Sequence, residues 1–132
     1  MNQATSKREQ LQQHALMVVL RPLNESRILS AVTAEFRTSL FLLQSRSSTD
    51  QVVVPQSAAQ LFLMLIDGKT LQNVGHEYGG KNYSTVIHRL KSTVGEYDAN
   101  PVFRRKIDRI RESLQLSPER FEQHIQRWRR ES

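Results

Sequence analysis

An all-α fold follows from three features of the 132-residue chain. Apolar residues recur at helical spacing through most of its length. The five glycines and four prolines fall mostly between those stretches rather than inside them. The one run of strand-favouring residues, Val52-Val53-Val54, stands before Pro55 and has no comparable run to pair with.

Taken in order, Leu11, Leu16, Val18, Val19 and Leu20 form a first apolar cluster that Pro22 ends, because proline disfavours helix just before it. Asn24 reads as an N-cap for a helix carrying Ile28, Leu29, Val32 and Phe36. The stretch Leu40 to Leu43 is short and apolar, and Ser45 to Asp50 reads as a loop. Val52 to Val54 is expected to continue that loop in extended form. From Gln56 to Ile66 the residues are apolar almost all round, which predicts a buried central helix stopped at Asp67-Gly68-Lys69.

Thr70 caps a short helix with Leu71, Val74 and Tyr78 on one face, ended by Gly79-Gly80. A longer helix is expected from about Asn82 to Val94, with Val86, Ile87, Leu90 and Val94 as its apolar face. The stretch Asp98-Ala99-Asn100-Pro101 breaks the pattern. Phe103, Ile107, Ile110 and Leu114 then share a face, and Ser117-Pro118 opens a charged last helix bearing Phe121, Ile125 and Trp128. This gives about eight helices in one domain, two of them short.

Composition narrows the function. With no cysteine, disulfide scaffolds, cysteine-based zinc sites and thiol nucleophiles are excluded. The longest apolar run, Leu61 to Ile66, is far short of the roughly 18 residues of a membrane span. The polar start, Met1 to Gln13, is no secretory signal, so a cytoplasmic location is expected. The net charge is +6, with nine basic against five acidic residues from position 100 onward. That balance suits a polyanionic partner, although a merely solvated basic face has the same composition.

The segment Thr70 to Lys91 has the layout of a helix-turn-helix, in which the start of the second helix enters the major groove. Asn82 can donate and accept at base edges, Ser84 and Thr85 offer hydroxyls, and the Thr85 methyl suits a thymine methyl. His88 lies one turn on, on the same face. Lys81, Arg89 and Lys91 can neutralise phosphates. Taken singly, Asn82 and Ser84 read more readily as plain N-cap residues, and His88 reads equally well as a half-buried histidine.

The residues Thr70-Leu71-Gln72-Asn73-Val74-Gly75 and Tyr78-Gly79-Gly80-Lys81-Asn82-Tyr83-Ser84-Thr85-Val86-Ile87-His88 resemble a known family. It is the C-terminal DNA-binding domain (domain IV) of the bacterial replication initiator DnaA, whose signature reads Gly-Gly-Arg-Asp-His-(Thr/Ser)-Thr-Val-(Leu/Ile)-His. Seven of ten signature positions are met, and the resemblance runs from about Ile28 to Leu114. It implies an all-α helix-turn-helix domain of the DnaA domain IV or Trp-repressor-like type, over residues 25–115. Residues 1–24 would be an N-terminal helical extension and residues 116–132 a C-terminal basic helix.

The resemblance also implies roles. Asn82, Tyr83, Ser84, Thr85 and His88 would contact bases; Arg46, Thr70, Leu71, Lys81, Arg89 and Lys91 would contact phosphates. Departures from the signature matter here. Asn82 replaces a base-reading Asp, turning an acceptor into a group that also donates, and Tyr83 replaces a base-reading His. Asp50 and Val54 stand where the family has arginines of a minor-groove loop, with Arg46 the only nearby cation. A target sequence different from the initiator's usual box is therefore expected.

Other chemistry is not foreseen. Gly75-x-x-x-x-Gly80-Lys81 matches most of a phosphate-binding P-loop, yet Asn82 replaces the magnesium-holding Ser or Thr and no strand precedes Gly75. His14, His76, His88 and His124 lack metal-ligand spacing, and no nucleophile elbow is present. The length leaves no room for the initiator's ATPase module. The expectation is therefore no catalytic residues, no metal, no cofactor and no nucleotide. The partner would be double-stranded DNA at the bacterial nucleoid, bound to regulate transcription or replication initiation. The competing reading is a protein–protein adaptor that keeps the initiator-like fold. The terminal helices would pack on the domain or form a self-association or partner surface. Arg127, Arg129 and Arg130 would add phosphate contacts or form a solvated basic tail.

Overall fold

The computed structural model describes residues 22–129. The expected helix around Leu11 to Leu20 lies outside them, as does Arg130. Over the described residues the chain is all-helical, with seven helices and no strand. We number them α1 (Glu25–Phe36), α2 (Leu40–Leu43), α3 (Asp50–Leu63), α4 (Leu71–Glu77), α5 (Tyr83–Ala99), α6 (Pro101–Ser113) and α7 (Pro118–Gln126).

Local chemistry starts most of them. Asn24, Ser39, Thr70, Asn82 and Ser117 each accept a hydrogen bond from the backbone N–H three residues ahead, satisfying a donor that the first helical turn leaves open. Asn100 does double duty. It closes α5 and its side chain accepts from Val102 and Phe103 at the start of α6, with Pro101 at the first helical position. The break expected at Asp98 to Pro101 is therefore one residue wide, and α5 continues five residues past the expected Val94.

The valine run is where local propensity loses. Val52 to Pro55 is not an extended loop but the first two turns of α3, where Val52 and Val53 donate to the Thr49 carbonyl at 3.0 and 2.9 Å. Among the described residues there is no strand for these valines to pair with. Helix costs a valine only about 0.5 kcal/mol relative to alanine, and burial of Val52 and Pro55 outweighs that. Pro55 forfeits the bond to Gln51, whose residue is exposed, so water can serve that carbonyl. The helix stops at Leu63, and Met64 to Ile66 form a tightening turn before Gly68, which takes a left-handed φ of 87°.

From Pro55 to Leu63 every residue of α3 is buried, and the other helices wrap it. Ile28 and Val32 of α1, Val86, Leu90 and Val94 of α5, and Ile107 and Ile110 of α6 complete the core. The last helix is part of it. Phe121 stacks on Phe62 with centroids 5.3 Å apart and meets Tyr97 edge-on at 5.8 Å. Ile125 and Trp128 are buried too. Arg129 is not free for phosphate, because it pairs with Asp98 at 3.0 Å and with Glu122.

Candidate nucleic-acid interface

Helices α4 and α5 form a tight pair joined by Tyr78 to Asn82. Two glycines make the turn: Gly79 at φ 119° and Gly80 at φ 63°, both conformations that a side chain resists. Gly75 makes the close approach. A Cβ there would lie 2.5 Å from the Lys81 carbonyl oxygen and 2.6 Å from Val86 Cγ2. The Lys81 N–H donates back to the Gly75 carbonyl at 2.9 Å, so this junction is fixed from both directions. Of the P-loop-like glycines, Gly75 thus lies inside α4 and Gly80 in the turn between two helices.

The junction is anchored on α3 by two buried glutamines. Gln60 Nε2 donates to the Tyr78 carbonyl at 2.8 Å, holding the end of α4. Gln56 Nε2 donates to the Leu43 and Ser45 carbonyls, both at 2.8 Å, and its Oε1 accepts from Arg89 at 2.6 Å. Gly79 packs against this amide, with Oε1 only 2.7 Å from where a Cβ would stand. The sequence reading assigned neither glutamine a role. The available signal was a pair of amides one helical turn apart in the mostly apolar stretch from Val52 to Leu63.

Against this support, the sequence-predicted residues take these places. Asn82 caps α5, its Oδ1 accepting from Thr85 N at 3.0 Å, which leaves the side-chain amide as a donor. Tyr83, Ser84 and His88 are exposed and Thr85 is half-buried at the start of α5. Ser84, His88 and Lys91 follow one another at helical spacing, so the start of the helix presents a mostly polar face. Arg46 is distant in sequence but lies beside this face, its Nε 2.7 Å from the position of a Gly80 Cβ. Thr70 is occupied by its cap, accepting from Asn73 N at 3.1 Å and donating to Asn73 Oδ1 at 2.8 Å. Leu71 is partly buried and packs against the core. Arg89 is half-buried and bonded to Gln56, and burial pulls its pKa down. Asp50 and Val54 lie in the first turns of α3, both exposed.

Below α4, a charged cluster ties the pair to α1. The Tyr78 hydroxyl donates to Glu25, and Lys69 bridges Glu25 at 3.1 Å and Glu77 at 3.2 Å. The Tyr78 bond chiefly holds the Glu25 carboxyl below its ordinary range. Among the described residues no group of His, Asp or Glu could hold a metal, and no helix is long and apolar enough to cross a membrane.

These features define an all-helical domain that displays a helix-turn-helix pair on a buried central helix. Comparison with known proteins points in one direction. The chain is 25% identical over 95 residues to the chromosomal replication initiator protein DnaA of Lactobacillus delbrueckii subsp. bulgaricus, covering 72% of this chain and 21% of that protein. It is 34% identical over 68 residues to the same protein of Lactobacillus johnsonii, covering 52% of this chain and 15% of the relative. Over 94 residues it is 26% identical to DnaA of Geobacter sp. strain M21, covering 71% and 20% respectively. The chain is thus DnaA-like over most of its length and spans about a fifth of the relatives it matches. No family model and no solved structure matches it.

Proposed function

We propose that the chain binds double-stranded DNA with α5 in the major groove, and that its DnaA-like stretch, residues 25–115, corresponds to that protein's C-terminal DNA-binding domain. The observation that carries this is the polar start of α5. Asn82, Tyr83, Ser84, Thr85 and His88 stand at the rim of a rigid helix-turn-helix junction, where a helix of this motif meets base edges. Arg46, Lys81, Arg89 and Lys91 serve phosphates, with Thr70 and Leu71 presenting the start of α4. Arg89 joins through the guanidinium N–H groups that its one bond to Gln56 leaves free. Asn82 and Tyr83 replace an Asp and a His of the signature, so the target differs from the initiator's usual box. The chain acts by occupying sites, in transcription or in control of replication initiation, at the nucleoid and without ATPase activity of its own.

The test is selection of bound sequences from a random duplex library, with Thr85→Ala and His88→Ala as controls. An enriched motif that both substitutions weaken supports major-groove readout. Four phosphate-paired cations predict a slope of log affinity against log salt of about −3 to −4. No enrichment together with no salt dependence refutes the proposal. A protein–protein adaptor is the second reading, favoured by exposed apolar side chains: Phe41 is 80% and Val102 63% exposed. Enrichment equal to that of the initiator's usual box in a competition assay would refute the altered target.

A further inference from the structure

Gln56 joins three segments around the predicted interface: the stretch from Leu43 to Ser45, the turn at Gly79 and Arg89 of α5. Its two N–H donors are spent on the Leu43 and Ser45 carbonyls, at 2.8 Å each, and its oxygen on the Arg89 guanidinium at 2.6 Å. The amide has only one workable orientation. Carbonyls can only accept and a guanidinium can only donate, so a flipped amide would lose all three bonds. Gly79, at the turn into α5, leans on the same amide because it has no Cβ to hold it off. Ser45 precedes Arg46, whose guanidinium lies against Gly80 beside the start of α5.

We propose that Gln56 is a positioning residue for DNA binding: its amide sets the loop that carries Arg46, and the Arg89 side chain, against the start of the recognition helix. The inference rests on the DNA-binding reading above and adds a residue that the family likeness did not nominate. The amide is wholly buried, so it acts by fixing its neighbours. Without it the Leu43 and Ser45 carbonyls lose their partner, the segment from Leu43 to Arg46 is untied from α3, and Arg46 no longer faces the same phosphate.

The test uses the full chain with Gln56→Met, Arg46→Ala and the double variant. Affinity for a mixed-sequence duplex is measured across a salt series, and the free proteins are observed by NMR at Gly80 and the Arg46 side chain. Arg46→Ala should flatten the salt slope by about 0.9, the value of one phosphate contact. Gln56→Met should flatten it by at least as much, and the double variant should bind within about twofold of Gln56→Met, because the contact is already gone. The Gly80 and Arg46 resonances should move in free Gln56→Met. Independent, multiplicative losses in the double variant, or unmoved resonances beside a normal slope, overturn the positioning role. If Gln56→Met does not fold, Gln56→Glu takes its place. It keeps the shape and the Arg89 acceptor while withdrawing both donors, and adding Arg46→Ala to it should again leave the slope unchanged. A wild-type chain with no salt-dependent duplex binding would instead remove the DNA reading, and this role with it, whatever the resonances do.

Discussion

Two glycines in neighbouring helices should respond oppositely to the same substitution. Gly75 and Gly95 both sit inside helices, α4 and α5, where alanine is intrinsically better by about 1 kcal/mol. At Gly95 a Cβ meets nothing within 4 Å, so Gly95→Ala should stabilise the protein by about 0.5 to 1 kcal/mol. At Gly75 the Cβ would stand 2.5 Å from the Lys81 carbonyl oxygen and 2.6 Å from Val86 Cγ2. Neither neighbour yields easily. The carbonyl belongs to a backbone fixed by its own bond to Gly75, and a β-branched valine in a helix has one strongly preferred rotamer. Forcing a methyl into such a contact costs about 3 kcal/mol, the upper end of overpacking, and subtracting the propensity gain leaves a loss of about 2 kcal/mol.

For a domain of this size that corresponds to a Tm lower by about 7 °C for Gly75→Ala, and higher by about 2 to 4 °C for Gly95→Ala. Thermal and urea unfolding followed by circular dichroism would measure both, with unchanged urea m-values as the check that the same transition is compared. Because α5 must move to relieve the clash, Gly75→Ala should also weaken duplex binding beyond what its lower stability explains. A Gly75→Ala protein as stable as wild type would refute the reasoning, since it would mean that the α4–α5 junction is looser than the structure has it.

Other expectations are read off single contacts. His124 is buried with Nε2 against the Leu61 carbonyl at 2.7 Å, which requires a proton on Nε2, so that nitrogen donates. Burial holds its pKa below 6.5, so stability is complete above about pH 6.5 and falls as pH drops towards the folded value. Thermal melts between about pH 7.5 and 5.5 should show that decline, and His124→Gln should flatten it. Glu25, Glu35 and Asp98, also held low, act only at more acidic pH. Asn100→Ala removes the acceptor for Val102 N and Phe103 N and should cost about 1 kcal/mol, a fall in Tm of about 4 °C. Tyr78→Phe removes the bond that chiefly lowers the Glu25 carboxyl. NMR titration should then find the Glu25 pKa raised towards 4.5, and an unchanged value would exclude that bond as the cause.

Much of this fold was written in short-range chemistry. Asn24, Thr70 and Asn82 cap their helices with an oxygen that reaches a donor three residues on, so the sequence within one turn suffices to find them. The apolar faces of α1, α5, α6 and α7 follow a period that any window of two turns reveals, and each faces the core. The residues from Asn82 to His88 do share the start of one helix, as their spacing predicts. What spacing could not show is which of two uses each polar group serves: Asn82 is a cap, and its remaining donor is what the interface has left.

The rest needed partners far along the chain. Val52 to Pro55 looks extended by propensity, and only burial against a completed core makes it helix. Arg89 looks like a free phosphate cation until Gln56, 33 residues earlier, is brought beside it. Gln56 itself reads as a polar interruption in an apolar helix. Its role exists only once Leu43, Ser45, Gly79 and Arg89 converge on one amide. The sequence by itself determined most of the helices, the caps at Asn24, Thr70 and Asn82, and most buried faces, because those depend on atoms a turn apart. Tertiary structure alone decided which buried polar groups are satisfied and which cations remain at the surface, because a hydrogen bond between distant residues has no local pattern to betray it.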